Sequence, residues 1–130
     1  MIRKLIYFFR WPLIVYVLGL ILYIFKVPRI FPWIDIPLHL IGGFVIAYSF
    51  VLILEFLGDK KLIKIKNKTI YFVIIIGLVG LTTIFWEFYE FALTNLFNLS
   101  MQGNLEDTMC DLFLGLLGGS SLFIFKKIKI

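Results

Sequence analysis

Apolar residues run through this chain in four long stretches separated by short polar joints. The first extends from about Leu5 or Trp11 to Phe25, the second from Asp35 to Leu57, the third from Thr69 to about Asn95, and the fourth from Leu105 to Phe125. Each is long enough, as a helix, to cross a hydrocarbon core of about 30 Å, which takes about 20 residues. Break signals mark the joints: Pro28 and Pro32 after the first stretch, Gly58 after the second and Gly103 after the third. The pattern predicts an all-α fold, a polytopic membrane protein built as a four-transmembrane-helix bundle. A single membrane domain is expected over residues 1–130, with helices at about 5–25, 35–57, 69–95 and 105–125.

Composition points the same way. Of the 130 residues 62% are hydrophobic and only 16% charged, against roughly 25% charged in soluble domains. A soluble core of this size cannot hide so much apolar surface, so the lipid bilayer is the expected solvent. The first stretch has a basic start, Arg3 and Lys4, as a signal peptide would. Its apolar run is too long for one, and no small-x-small site precedes Lys26, so a retained helix is expected. The one cysteine, Cys110, makes neither an internal disulfide nor a CxxC metal site.

The net charge of +5 raises nucleic acid as a partner, but its placement argues against that. Lys and Arg cluster in the joints, as membrane topology requires. Arg3, Lys4 and Arg10 precede or open the first stretch. Lys60, Lys61, Lys64, Lys66 and Lys68 fill the middle loop, and Lys126, Lys127 and Lys129 the tail. The first connection carries only Lys26 and Arg29, and the last carries none. Eleven basic residues against two predict a multi-pass protein of the cell membrane with both termini and the middle loop cytoplasmic.

The carboxylates then become informative. Glu55 and Asp59 sit beside the lysine-rich loop and read as snorkelled surface charges, and Glu106 opens the last helix with no special role. Asp35, Glu87, Glu90, Asp107 and Asp111, with the single histidine His39, all fall toward the outer side under this topology. At about 1.5 Å per residue, each is expected within roughly 12 Å of the outer end of its helix. Charges inside a spanning helix cost about 2.5–3.5 kcal/mol each on insertion scales and usually mark a functional interior.

Spacing puts each pair on one face: Asp35 and His39 four apart, Glu87 and Glu90 three apart, Asp107 and Asp111 four apart. Small residues continue each face, namely Gly42, Gly43 and Ala47, then Gly80 and Thr83, then Gly115, Gly118 and Gly119. Such residues let spanning helices approach closely.

Structural explanations compete for some of these side chains. Asp35 fits an N-cap of the second helix, with Pro37 in its first turn. Asp107 fits the N3 position answering Asn104 as N-cap. Asp111 lies a turn too deep to cap, while Glu87 and Glu90 lie toward a helix C-terminus, where the macrodipole disfavours anions. His39 alone would read as a histidine bonded to a neighbour, but it stands beside five carboxylates. Cys110 fits a small apolar filler. Trp33, Trp86 and Tyr89 fit interfacial anchors. Gln102 and Asn104 suit either the mouth of a site or the cap of the last helix.

Five carboxylates cannot all stay ionised in a dry site, and no Lys or Arg lies on these faces. Either several are protonated or a cation sits among them. Carboxylate oxygens plus one imidazole suit a divalent metal ion: Mg, Mn, Zn or Fe. Two facing carboxylate pairs plus His39 would suit even two metals and phosphoryl transfer. There is no contiguous ligand motif such as HExxH.

The stretch Gln102-Gly103-Asn104-Leu105-Glu106-Asp107-Thr108-Met109-Cys110-Asp111, followed by glycines, resembles the signature of the YjdF-type bacterial inner-membrane proteins. Those carry a Gln-Gly-Asp-x-x-Asp-Thr-x-x-Asp run, in which Asn104 here replaces the first Asp. The pairs Asp35-x-x-x-His39 and Glu87-x-x-Glu90 resemble that family's other two motifs in the same order. A looser similarity is to the VanZ-like proteins, linked to teicoplanin resistance. Glu90 stands where they have Gln, and Asp111 where they have Asn. Neither resemblance implies an established reaction.

Three functions stay open at this point. One is a metal-dependent enzyme acting on a lipid or lipid-linked phosphate of the cell envelope. In it Asp35, His39, Glu87, Glu90, Asp107 and Asp111 bind metal, and Asp111, Glu87 and His39 carry the catalysis. A second is an ion- or proton-coupled transporter or channel subunit, which needs polar residues on toward the cytoplasmic side. Only Tyr48, Ser49, Thr82 and Thr83 offer themselves there, unless an oligomer supplies a path. A third is a non-catalytic membrane sensor or partner.

Overall fold

The computed structural model of the chain describes residues 2–125, so the tail lysines Lys126, Lys127 and Lys129 lie outside the described residues. Five helices follow one another: α1 (Ile2–Ile24), α2 (Val27–Ile30), α3 (Asp35–Asp59), α4 (Lys68–Phe97) and α5 (Leu105–Phe125). A 3-10 turn, Pro32–Ile34, leads into α3. No strand occurs among the described residues. Helices α1, α3, α4 and α5 are each long and apolar enough to cross a membrane.

The joints show which break signals act. Lys26 adopts left-handed φ of 56°, Pro28 sits in the first turn of α2, and Pro32 opens the 3-10 turn. Proline is tolerated there because a first-turn N–H has no helical acceptor. Gly58 does not break the second span. Helix α3 runs through it to Asp59, and the chain turns where Lys61 takes φ of 58°. Asn67 then caps α4, accepting from the N–H groups of Thr69 at 2.8 Å and Ile70 at 3.1 Å.

Helix α4 is 30 residues, about 45 Å, and outreaches the hydrocarbon core. It ends at Asn98, which has φ of 53°, a conformation asparagine tolerates. Glu87 therefore lies about 15 Å from the α4 terminus at Phe97, deeper than the roughly 12 Å expected from a helix ending near Asn95. The returning loop is pinned to the helix by Thr94, whose hydroxyl oxygen accepts from the N–H groups of Met101 at 3.2 Å and Gln102 at 3.0 Å.

Helices α3, α4 and α5 form the core, and their buried residues fall at helical spacing. On α4 these are Tyr71, Ile75, Val79, Thr83 and Glu87, every fourth residue. On α5 they are Asp111, Gly115, Gly118, Gly119 and Leu122. On α3 they include Gly43, Ala47 and Val51. Gly43 abuts the backbone of Gly115, and Gly118 abuts the carbonyl of Leu40, so α3 and α5 touch main chain to main chain. Gly42 turns away from this contact, with nothing within 4 Å of where its Cβ would stand. Helix α1 leans on the outside, through Phe8 against Phe56 and Phe9 against Phe50.

Candidate functional site

The packing register brings the three acid-bearing segments together. Thr83 packs on Gly115 and Val79 on Gly119 across the antiparallel α4–α5 pair. One turn further along this register stands Glu87 on α4, level with Asp111 on α5. On the parallel α3–α5 pair, Gly43 meets Gly115, and one turn earlier His39 meets Asp111 with Nε2 3.7 Å from Oδ1. The glycines thus set the helix separation that lets side chains from α3, α4 and α5 converge at one end of the bundle.

The tightest group is Asp35, His39 and Asp111. His39 Nε2 stands 3.4 Å from Asp35 Oδ1, one turn back on the same helix. One ligand atom from each residue lies within 4.8 Å of the other two. Asp111 is 5% exposed although it is a carboxylate inside a spanning helix. Asp35 does not cap α3: the N-cap position is Ile34 and no side-chain cap forms. Its carboxylate turns to His39 instead.

The donor set and spacing fit a divalent ion. Ligands around a tetrahedral ion at about 2.1 Å stand about 3.4 Å apart, close to the two distances from Nε2. Both carboxylates approach the same nitrogen, which has one proton at most in its plane to share between them. A cation held among the three would give each of them a partner.

The other acids surround this group without joining its contact set. Glu87 is 7% exposed and accepts a hydrogen bond from the side chain of Thr108. Glu90 accepts from Trp86 Nε1 at 2.8 Å. Glu90 interacts electrostatically with His39, and Glu87 and Asp107 with Asp111. Asp107 is exposed. Its backbone N–H donates to Asn104 Oδ1 at 2.9 Å, and its carboxylate folds over Gly103. The N3 position and the Asn104 cap are therefore both present, and Asp107 sits at the rim. Cys110 is exposed and absent from the buried face of α5, so it does not fill the core.

Two supporting residues escape a reading of the sequence: Thr108 and Trp86. Trp86 passes for an interfacial anchor by composition, yet it stands one turn before Glu90, where an i,i+4 pair meets. Its ring also contacts Tyr16 of α1 and Tyr89, each at 5.6 Å between centroids. The hydroxyls of Tyr16 and Tyr89 lie 2.9 Å apart, so α1 is tied to α4 beside the acidic end.

Away from this end the interior closes. Ala47, Val51, Ile75, Val79 and Leu122 fill it. Ser49 bonds to the Val45 carbonyl, Thr82 to that of Leu78 and Thr83 to that of Gly80, each within its own helix, while the buried Tyr71 hydroxyl donates across to the Val51 carbonyl of α3. Neither a curated protein nor a solved structure matches the chain. A family model does match, over residues 2–128, nearly the whole sequence. The YjdF-type resemblance carried by the three motifs leads to this same family, and the chain belongs to it: the family described as predicted membrane protein (DUF2238).

Proposed function

We propose that this protein is a membrane-embedded divalent-metal protein whose acidic end faces the extracytoplasmic side and acts on a lipid or lipid-linked phosphate. The observation that carries the reading is the convergence of Asp35, His39 and Asp111, from two helices, at metal-ligand spacing. Charge favours a metal over a bare proton. An imidazolium at His39 would offset one of five carboxylates, whereas a divalent ion offsets two and leaves the imidazole neutral as a ligand. Orientation follows the basic residues, which favour a cytoplasmic middle loop.

Asp35, His39 and Asp111 would hold the ion, with coordination positions left over for substrate. A divalent ion bound there would supply Lewis-acid polarisation of a phosphoryl oxygen and an acidified water. Glu87, held by Thr108, and Glu90, held by Trp86, interact electrostatically with the triad and would take up or return a proton. Asp107 at the rim would attract a further cation. Transport is the weaker reading for a single chain, because the hydroxyls of Ser49, Thr83 and Tyr71 beyond the acids are taken up by backbone carbonyls and the side chains around them are apolar.

Metal analysis of the purified protein tests this. Near-stoichiometric Mg, Mn, Zn or Fe is expected, with loss of that metal in Asp111→Ala. Metal-free protein whose thermal stability is indifferent to chelator and to added ions would refute it and leave His39 as a cation paired with two aspartates.

A further inference from the structure

A second feature lies between α1 and α3, and shares no residue with the acidic group. A cavity of about 320 Å³ opens between α1 and α3, lined by Arg10, Trp11, Phe44, Val45 and Tyr48. Arg10 belongs to the apolar span Ile6–Ile24. It lies one turn in from the start of that span, about 6 Å along α1 from Ile6.

An arginine inside an apolar span is costly and usually pairs with an anion or reaches for the interface. Among the described residues no carboxylate forms an ion pair with Arg10. Its guanidinium lies over the rings of Tyr7 at 4.7 Å and Trp11 at 5.4 Å. These contacts hold the planar fork and leave its N–H donors for an acceptor from outside the chain. Tyr7 is one turn nearer the helix N-terminus, so the side chain reaches toward the surface opposite the acidic end. The remaining walls are Tyr48 and, suited to an acyl chain, Trp11, Phe44 and Val45.

We infer that this cleft binds an anionic glycerophospholipid, with its phosphate on Arg10 and one acyl chain between α1 and α3. The charge is complementary, and apart from the Tyr48 hydroxyl the walls beside the cation are apolar. Arginine rather than lysine suits the role because the fork grips two phosphate oxygens. Lys4 does not belong to the cleft, since its ammonium lies 4.6 Å over Phe56.

Native mass spectrometry of the full chain from detergent tests the assignment, with phosphatidylglycerol and phosphatidylcholine of identical chains in competition. Wild type is expected to retain phosphatidylglycerol about tenfold over phosphatidylcholine, the scale of one charged hydrogen-bonded contact. Arg10→Gln should bring the ratio close to one, Arg10→Lys should leave an intermediate ratio, and Lys4→Gln should leave it unchanged. Equal retention of the two lipids by wild type overturns the proposal, as does a folded Arg10→Gln that keeps the preference. Should Arg10→Gln not fold, the wild-type and Arg10→Lys ratios decide. Soluble glycerol phosphate competing as well as the lipid would show an anion pocket without a lipid, and also overturn it.

Discussion

Gly43 of α3 lies against the backbone of Gly115 of α5 so closely that a methyl group on Gly43 would collide with the Gly115 carbonyl. The obstacle is main chain, which cannot rotate away, so the helices must part. Gly43→Ala is expected to lower stability by about 1–3 kcal/mol, the usual cost of overpacking. It should also weaken metal binding, because His39 and Asp111 sit one turn from the same contact. Gly42→Ala is the control. With open space around its Cβ position, it should stay within about 1 kcal/mol of wild type. Thermal unfolding in detergent, read with a metal titration, checks both.

Asp111 and Asp107 share a helix and a chemistry but not an environment. Asp111 is buried against His39, while Asp107 is exposed over Gly103. Asp111→Asn should abolish stoichiometric metal. Asp107→Asn should leave the first equivalent bound and change affinity by less than about tenfold, since only a distant charge is lost. Asn104→Ala removes the cap that accepts from the Asp107 N–H and should cost about 1 kcal/mol of stability, with no metal phenotype. Equal metal loss at positions 107 and 111 would contradict this ranking.

Trp86 fixes Glu90 through one indole N–H. Trp86→Phe keeps an aromatic ring against Tyr16 and Tyr89 but removes the donor. Outer partners of metal sites are typically worth 10–100-fold in affinity or activity, so a loss of about tenfold in metal affinity is expected with little change in the unfolding midpoint. Isothermal titration on the two proteins at one pH separates the outcomes. An unchanged affinity would make Trp86 an anchor of α1 and nothing more.

Much of this arrangement is legible in the chain because bilayer physics is strict. The span from Leu105 to Phe125 has the bounds its apolar run suggests, and α3 and α4 overrun theirs by a turn or less. Gly43, Gly115, Gly118 and Gly119 lie on packed faces as small residues at helical spacing should. Gly42 and Gly58 mislead for one reason: glycine alone does not say whether it permits a close approach, a turn or neither. The link from Trp86 to Glu90 depends on which rotamer a tertiary contact selects, and that from Thr108 to Glu87 on the α4–α5 register. The i,i+4 spacing permits the first without requiring it, and the second is not written in a single helix. Asp35 shows the converse, since a capping residue by position is drawn away by a histidine one turn on.

Sidedness remains the premise on which any envelope substrate depends, and it is open to direct measurement. Cys110 is the only cysteine and is exposed on α5, so Cys110→Ala should fold and give a thiol-free background. Lys64→Cys in the middle loop and Met101→Cys in the last connection then report opposite faces. The basic residues gathered around Lys64 and absent near Met101 predict that a membrane-impermeant maleimide labels Met101→Cys on intact cells and Lys64→Cys only after permeabilisation. The reverse pattern would turn the acidic end toward the cytoplasm, where a soluble phosphate compound becomes the better substrate class for the same residues.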